Sequence, residues 1–339
     1  MKTILILTDN LIDQINGVVT TYKNIEAHAF HDGFKFIYIN PGQYKHIDCP
    51  KYNELKLAFP RGLLRHVKEL SPDHIHIATE GPIGIYARII FKKYGIRYNT
   101  AYHTKFPEAV KKFIGIPESL TWSLIRWFHQ NSFCVLTTTA SMVAELKNHG
   151  FGSNVKSWTR GVNRDLFKPI IDKKKYHSDF PVMINVGRIS KEKNLEKFYQ
   201  LQIPGTKIQI GDGPLLQHYR EKYPNVLFVG AKTGSELVEY YQKADVFVFP
   251  SNWDTFGIVM IEAMACGTPV AAYPVQGPLD VIEQKVTGYM HSDLDKAVQK
   301  ALTLDRDKVF KFSEKWSWEQ AWKMFSDSLV DSNISAIYK

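Results

Sequence analysis

Residues 245–282, DVFVFPSNWDTFGIVMIEAMACGTPVAAYPVQGPLDVI, read as strand, loop, helix, strand and a second loop. From Asp245 to Phe249 most positions are apolar and either β-branched or aromatic, the composition of a strand buried on both faces of a parallel sheet. Pro250 and Ser251 end it. Phe256 to Cys266 is apolar almost throughout, too long for a strand, and is closed by Gly267 as a left-handed cap. This stretch predicts a buried helix. Asp254 and Thr255 are expected to cap its first turn. The free N–H groups along Thr255, Phe256, Gly257 and Ile258 lie at the positive end of the helix dipole, so the loop is a candidate site for an anion such as a phosphate.

Glu262 is the exception on this helix, because an ionised carboxylate among apolar neighbours is costly unless something satisfies it. A polar ligand or a neighbouring Lys or Arg would serve equally. The pattern around it is informative: an acid at Asp254, then Phe256-Gly257, then Glu262 eight positions after the first acid, then Ala263 and a Gly-Thr-Pro-Val turn. It resembles the signature of retaining GT-B glycosyltransferases, closest in look to bacterial and plastid glycolipid synthases and mannosyltransferases. The resemblance implies that Glu262 holds the ribose of a nucleotide sugar and that Asp254 touches hydroxyls of the transferred sugar. Asp254 stands where that family more often has Glu, with a shorter reach.

At 339 residues, 44% hydrophobic and 23% charged, the chain has a globular composition and enough length for two domains with separate cores. No apolar run reaches the ~18 residues of a membrane span, and the amino-terminal stretch MKTILILTDN meets an acid too early for a secretory signal. A cytoplasmic protein is expected. Cys49, Cys134 and Cys266 lack metal-ligand spacing and read as core residues. The net charge of +9 is uneven: residues 1–170 hold 22 Lys and Arg against 13 Asp and Glu, whereas the remainder is balanced at 21 of each. An anionic partner for the first half is one reading and a solvated surface the other.

Along the chain, residues 3–7 form a strand, followed by a loop with Gly17 at the turn into a helix from about Val18 to Ala29. Glycine there permits close approach of a phosphate or simply a tight turn. Residues 34–40 form a second strand and 41–60 a long loop. The strand at 74–79 puts His74 and His76 on one face, without an evident third metal ligand. The strand 97–102 delivers His103 to the carboxyl edge of a parallel sheet, the edge at which ligands bind. Its context, AYHTKFPE at 101–108, is similar to that of glycosyltransferases that make bacterial and plastid glycolipids, which implies that His103 lies beside the transferred sugar. The family often has two glycines in the first loop; here Asn16 replaces the first. Residues 110–129 mix Trp122 and Trp127 with Lys111, Lys112 and Arg126, as expected of an interfacial membrane helix or of a helix packed on the sheet. A charged linker spans 168–181.

The second set of strand–helix units begins at 181–187 and ends in Gly187-Arg188, with Lys193 five residues on. The resemblance to a strand-Gly-Arg-x5-Asn stretch implies that Arg188 and Lys193 bind the donor diphosphate. Gly211 and Gly213, in a turn at 207–214, are implied by the resemblance to lie near the nucleotide base. The Asp-x-Asp triplets 293–295 and 305–307 read as solvated helix ends, and Trp316, Trp318 and Trp322 as packing for a terminal helix.

The expected architecture is α/β, GT-B, with two doubly wound Rossmann-like domains facing a cleft: an acceptor-side domain at 1–168, a nucleotide-sugar domain at 181–310, and a helix at 311–335 returning to the first. The expected activity is a retaining, metal-independent transfer of a hexose from a UDP- or GDP-sugar to a hydroxyl of a lipid or saccharide acceptor. Catalytic candidates are Arg188, Lys193, His103, Asp254 and Glu262; donor-binding candidates are Gly17, Gly187, Gly211, Gly213, Thr255, Phe256, Gly257, Ile258 and Glu262. No metal and no other cofactor is expected, no nucleic acid, and the membrane's inner, anionic face is the expected location. A nucleotide-sugar epimerase of the same fold, a glycoside hydrolase using two carboxylates and a nucleotide-sugar binding module are the competing readings.

Overall fold

The structure, a computed structural model, describes residues 1–13, 17–49, 52–103, 107, 110, 111, 115–170 and 180–337. Asn16, Lys112, most of the AYHTKFPE segment after His103 and most of the 168–181 linker lie outside the described residues. The chain forms two compact units, Met1–Arg160 with Trp318–Lys339, and Gly161–Ser317. The second unit therefore begins before 181 and extends beyond 310. Val162, Leu166 and Phe167 pack into its core, as do Val309 and Trp316.

In the first unit, six strands form one parallel sheet: β1 (Lys2–Leu7), β2 (Phe34–Ile39), β5 (His74–Ile77), β6 (Asn99–Tyr102), β7 (Val135–Thr137) and β8 (Val155–Ser157), in spatial order β2-β1-β5-β6-β7-β8. Residues 4–7 of β1 are wholly buried, as a strand covered on both faces must be. Helices α1 (Gly17–His31), α2 (Leu63–Leu70), α3 (Pro82–Tyr94), α4 (Glu118–His129) and α5 (Ala140–Asn148) follow their strands. The segment 41–60, expected as a loop, contains an antiparallel hairpin of β3 (His46–Cys49) and β4 (Tyr52–Ala58).

The second unit is again one parallel sheet: β9 (Val182–Val186), β10 (Thr206–Ile210), β11 (Val226–Phe228), β12 (Val246–Phe249), β13 (Val270–Ala272) and β14 (Gly288–Met290), ordered β11-β10-β9-β12-β13-β14. Its helices are α6 (Glu196–Tyr199), α7 (Leu216–Lys222), α8 (Gly234–Lys243), α9 (Ile258–Ala265), α10 (Pro278–Val281), α11 (Leu294–Ala301) and α12 (Arg306–Phe312). Strand order reverses between β9 and β12, the topological switch point at which open α/β sheets leave a crevice beyond their carboxyl ends. The chain then returns to the first unit as α13 (Trp318–Ser326) and α14 (Ile334–Ile337). There Trp322 Nε1 donates to Asp32 (2.6 Å) and Ala321 O accepts from Trp158 Nε1 (2.9 Å).

Candidate active site

The loops after β9 and β12 meet at the switch point of the second unit. A 3-10 turn at Lys191–Lys193 follows Arg188, and Asn194, left-handed at φ 54°, ties this turn to β12 through its side chain on Pro250 O (3.1 Å). Lys193 Nζ thereby reaches Asp254 Oδ1 at 2.6 Å. Burial works to raise the Asp254 carboxyl's pKa; the Lys193 charge and hydrogen bond, helped by the Ser251 hydroxyl, outweigh it and leave the group below its ordinary value. Asp254 Oδ2 is buried and has no hydrogen-bond partner among the described residues, and the same holds for Gln276 Oε1 on the loop after β13. Gly277 presses that loop onto the other: its φ is 90°, and a Cβ there would stand 2.5 Å from Asp254 O. An orphaned buried acceptor costs about 1–3 kcal/mol, which a ligand's hydroxyl groups would offset.

Asp254 and Thr255 do not cap α9. The residue at its N-cap is Gly257, left-handed at φ 83° and without a side-chain cap, so the helix starts at Ile258 rather than Phe256. Asp254 is drawn to Lys193 instead. The rings of Phe256 and Trp316 meet edge-on at 5.3 Å in the core, and Ile258 packs against the same core. Of these two residues, the backbone is what remains to meet a ligand. One turn on, Glu262 Oε2 accepts from the Tyr241 hydroxyl at 2.9 Å. Burial pushes the Glu262 carboxyl up to about 7, with the Tyr241 hydrogen bond opposing. The partner is thus a tyrosine of α8, where the sequence left open a Lys, an Arg or a ligand.

The glycines after β10 have a structural cause, whereas a Cβ on Gly187 after β9 would meet nothing within 4 Å. A Cβ on Gly211 would meet Gly187 O at 2.0 Å, and one on Gly213 would meet Ile189 O at 2.5 Å. The two loops run backbone against backbone, joined by Gly187 N to Ile210 O and Ile189 N to Asp212 O. Arg188, between Gly187 and Ile189 in the first of these loops, is half-buried.

In the first unit, His103 stands at the carboxyl end of β6. Its Nδ1 lies 2.9 Å from Arg160 Nη2 and its Nε2 3.3 Å from the Tyr22 hydroxyl. Burial, then the Arg160 charge, then His76 and His129, hold it well below the usual histidine value. Tyr22 lies 2.7 Å from His76 Nε2, so His76 serves this cluster rather than a metal. A Cβ on Gly17 would meet open space, and its carbonyl accepts from the Thr21 hydroxyl. Sequence reasoning passed over Asp9, which is 2% exposed at the end of β1. It accepts from Ile83 N and from the Thr79 hydroxyl, closing the amino end of α3, and burial raises it to about 6.

Helix α4 turns its tryptophans inward. Trp122 is 5% exposed and stacks on His149 at 3.7 Å, while Trp127 lies under the Arg88 guanidinium at 3.8 Å. The outward face carries Leu120 and Leu124, with Ile116 just before the helix, all exposed. Asp293 and Asp305 cap α11 and α12.

Residues 167–315 match the model for glycosyl transferases group 1 and residues 23–166 that for glycosyltransferase family 4. The chain is 29% identical over 305 residues to a sulfoquinovosyl transferase of Arabidopsis thaliana, a match that covers 80% of this chain and 60% of the plant protein. It is 26% identical to a GDP-mannose-dependent α-mannosyltransferase of Mycobacterium tuberculosis, covering 84% of this chain and 82% of the relative. An α-monoglucosyldiacylglycerol synthase of Streptococcus pneumoniae is 23% identical, with 97% of this chain and 86% of the relative covered. Among solved structures, sucrose-phosphate synthase of Thermosynechococcus elongatus superposes with a TM-score of 0.79 at 19% identity over 96% of this chain and 98% of that one. The Anabaena protein HepE in complex with UDP and glucose does so at 0.72 and 15% identity, over 97% and 99%.

Proposed function

The chain belongs to the nucleotide-sugar-dependent glycosyltransferases of GT-B fold, a family 4 domain followed by a group 1 domain, and on that premise we propose that it transfers a hexose from a UDP- or GDP-sugar to a membrane lipid with retention, forming an α-glycosidic bond. The observation that carries the reading is the pair of unfilled buried acceptors, Asp254 Oδ2 and Gln276 Oε1, in two touching loops beside the Lys193 cation. A ligand that brings both hydroxyl donors and an anionic group answers that arrangement.

In this reading Arg188 and Lys193 stabilise the departing diphosphate, the electrostatic task that dominates such reactions. On donor binding, Lys193 exchanges the Asp254 carboxylate for phosphate, and Asp254 turns to the sugar's hydroxyls. Glu262 holds the ribose, and His103 meets the sugar. The cations do the work a metal ion would do, so none is required. As the resemblance implies, the leaving phosphate helps deprotonate the acceptor on the same face, with no covalent nucleophile.

A lipid acceptor is supported by the likeness to the α-monoglucosyldiacylglycerol synthase. It is also supported by the exposed apolar face of α4 within the basic half of the chain. No helix among the described residues is long and apolar enough to cross a membrane, and docking is proposed to be peripheral, on the anionic cytoplasmic face. The test is incubation with radiolabelled UDP- and GDP-sugars and a lipid extract. Label in the lipid phase, α-linked by NMR, is expected. Label in soluble saccharide would overturn the lipid acceptor, and bound sugar without turnover would overturn the transferase itself.

A further inference from the structure

We infer that Arg160 is a positioning residue for His103, fixing its imidazole as the Nε2–H tautomer so that it meets the substrate as a hydrogen-bond donor and not as a base. The inference rests on the reading of His103 as a contact of the transferred sugar and states what that contact is able to do.

Arg160 follows β8 and is 3% exposed. Its guanidinium lies 4.4 Å over the Trp158 ring, and its Nη1 donates to the carbonyls of Trp158 (2.7 Å) and Thr159 (3.0 Å). These contacts aim Nη2 at His103 Nδ1, 2.9 Å away. A guanidinium has donors only, so Nδ1 accepts and the proton of the neutral ring resides on Nε2. That nitrogen faces the Tyr22 hydroxyl at 3.3 Å. Tyr22 oxygen accepts from it, and the Tyr22 hydroxyl donates to His76 Nε2 at 2.7 Å, the arrangement in which the phenol proton has an acceptor. The chain ends at His76 Nδ1, which is buried without a partner among the described residues. One fixed cation therefore orders three side chains.

The consequence is chemical. A general base needs a free lone pair, yet that of Nδ1 is engaged by Arg160 and Nε2 carries the proton. Among the described residues, the titratable groups around the ring are Arg160, Tyr22, His76 and, through its field, His129, with Glu80 acting on Tyr22. Burial brings the Arg160 guanidinium down to about 10, still charged at neutral pH, and a second cation on His103 is disfavoured beside it. The Nε2–H remains available to an oxygen of the substrate in exchange for the long Tyr22 contact.

The experiment records imidazole 15N–1H correlations of the full chain, with His103 identified by its loss in His103→Gln. The Nε2–H tautomer is expected, unchanged between about pH 8 and about pH 5.5. In Arg160→Met both tautomers should appear and His103 should titrate at higher pH. With a nucleotide sugar and lipid extract, kcat should fall about tenfold, the worth of one misdirected hydrogen bond, and acquire an acidic limb; Arg160→Lys should recover most of both. Tyr22→Phe leaves the Arg160 contacts in place and must keep the wild-type tautomer, which maintains the test should Arg160→Met not fold. An Nδ1–H or charged His103 in the wild type at neutral pH, an inverted tautomer in Tyr22→Phe, or an unaltered tautomer and pH profile in a folded Arg160→Met would each overturn the assignment. Wild-type transfer by His103→Gln, with the tautomer as stated, would overturn the substrate contact while leaving Arg160's hold on the ring in place.

Discussion

The role proposed for Glu262 sets function against stability, a conflict that a single substitution exposes. Its folded pKa of about 7 lies above the ordinary 4.5 because burial disfavours the charge. The neutral form is the one the fold prefers, so its stabilising contribution is full below about 4.5 and is lost as pH rises through about 7. Glu262→Gln should therefore raise stability by about 1–2 kcal/mol at pH 8, with a smaller gain at pH 5, while transfer should drop if Glu262 holds the ribose as proposed, because an amide offers one neutral acceptor oxygen where the carboxylate offers two charged ones. Thermal unfolding at the two pH values reads the first effect; an equal or absent gain at both would remove burial as the cause. Lys193 and Arg188 give the complementary case. Their replacement by Ala should reduce turnover about 100-fold with the fold intact, and unchanged rates in both variants would sink the diphosphate assignment. If these cations take the leaving-group charge as proposed, wild-type activity should also survive excess chelator. Loss on chelation that manganese or magnesium restores would contradict this.

At the scale of one element, α4 separates two explanations of an aromatic, basic helix. Its buried residues, Thr121, Trp122, Ile125, Phe128 and His129, follow the 3.6-residue period and define the face packed on the sheet. Leu120 and Leu124 fall four apart on the other face, in line with Ile116. Replacing Leu120 and Leu124 by Ser should weaken vesicle binding at unchanged thermal stability. Trp122→Ser should instead cost about 3–5 kcal/mol of stability, as large-to-small changes of buried aromatics do. Co-sedimentation of the two variants beside their melting curves makes the comparison, and a Leu pair that binds like wild type would exclude this face from docking.

For the whole molecule the relevant quantity is charge. The full excess of nine positive charges lies before residue 171, and each Lys or Arg near an anionic surface contributes about 1 kcal/mol. Binding should thus need anionic lipid and fade with salt, since exposed charges are screened beyond about 10 Å at 0.1 M. Equal partition onto neutral and anionic vesicles would refute electrostatic docking and leave the apolar face as the sole attachment.

Two doubly wound units were legible in the sequence because a buried parallel strand is apolar along its whole length and its helix begins at a glycine or cap, both local properties. Gly187-Arg188, Lys193 and Asn194, and the spacing of Asp254 and Glu262, were equally readable, being set within single loops and one helix. The hairpin at β3 and β4 was not, since it pairs with itself outside the main sheet and lacks the apolar run that marks a buried strand. Nothing local could show that Lys193 pairs with Asp254, that Tyr241 rather than a cation meets Glu262, or that Arg160 reaches His103. Those partners are 61, 21 and 57 residues apart. Nor could composition say which face of α4 holds Trp122, because an indole beside basic residues suits a membrane interface and a packed core alike. The local pattern decides which residues are strand, helix and loop; which polar groups meet, and so which charges each site presents, is decided by the order in which the strands lie side by side.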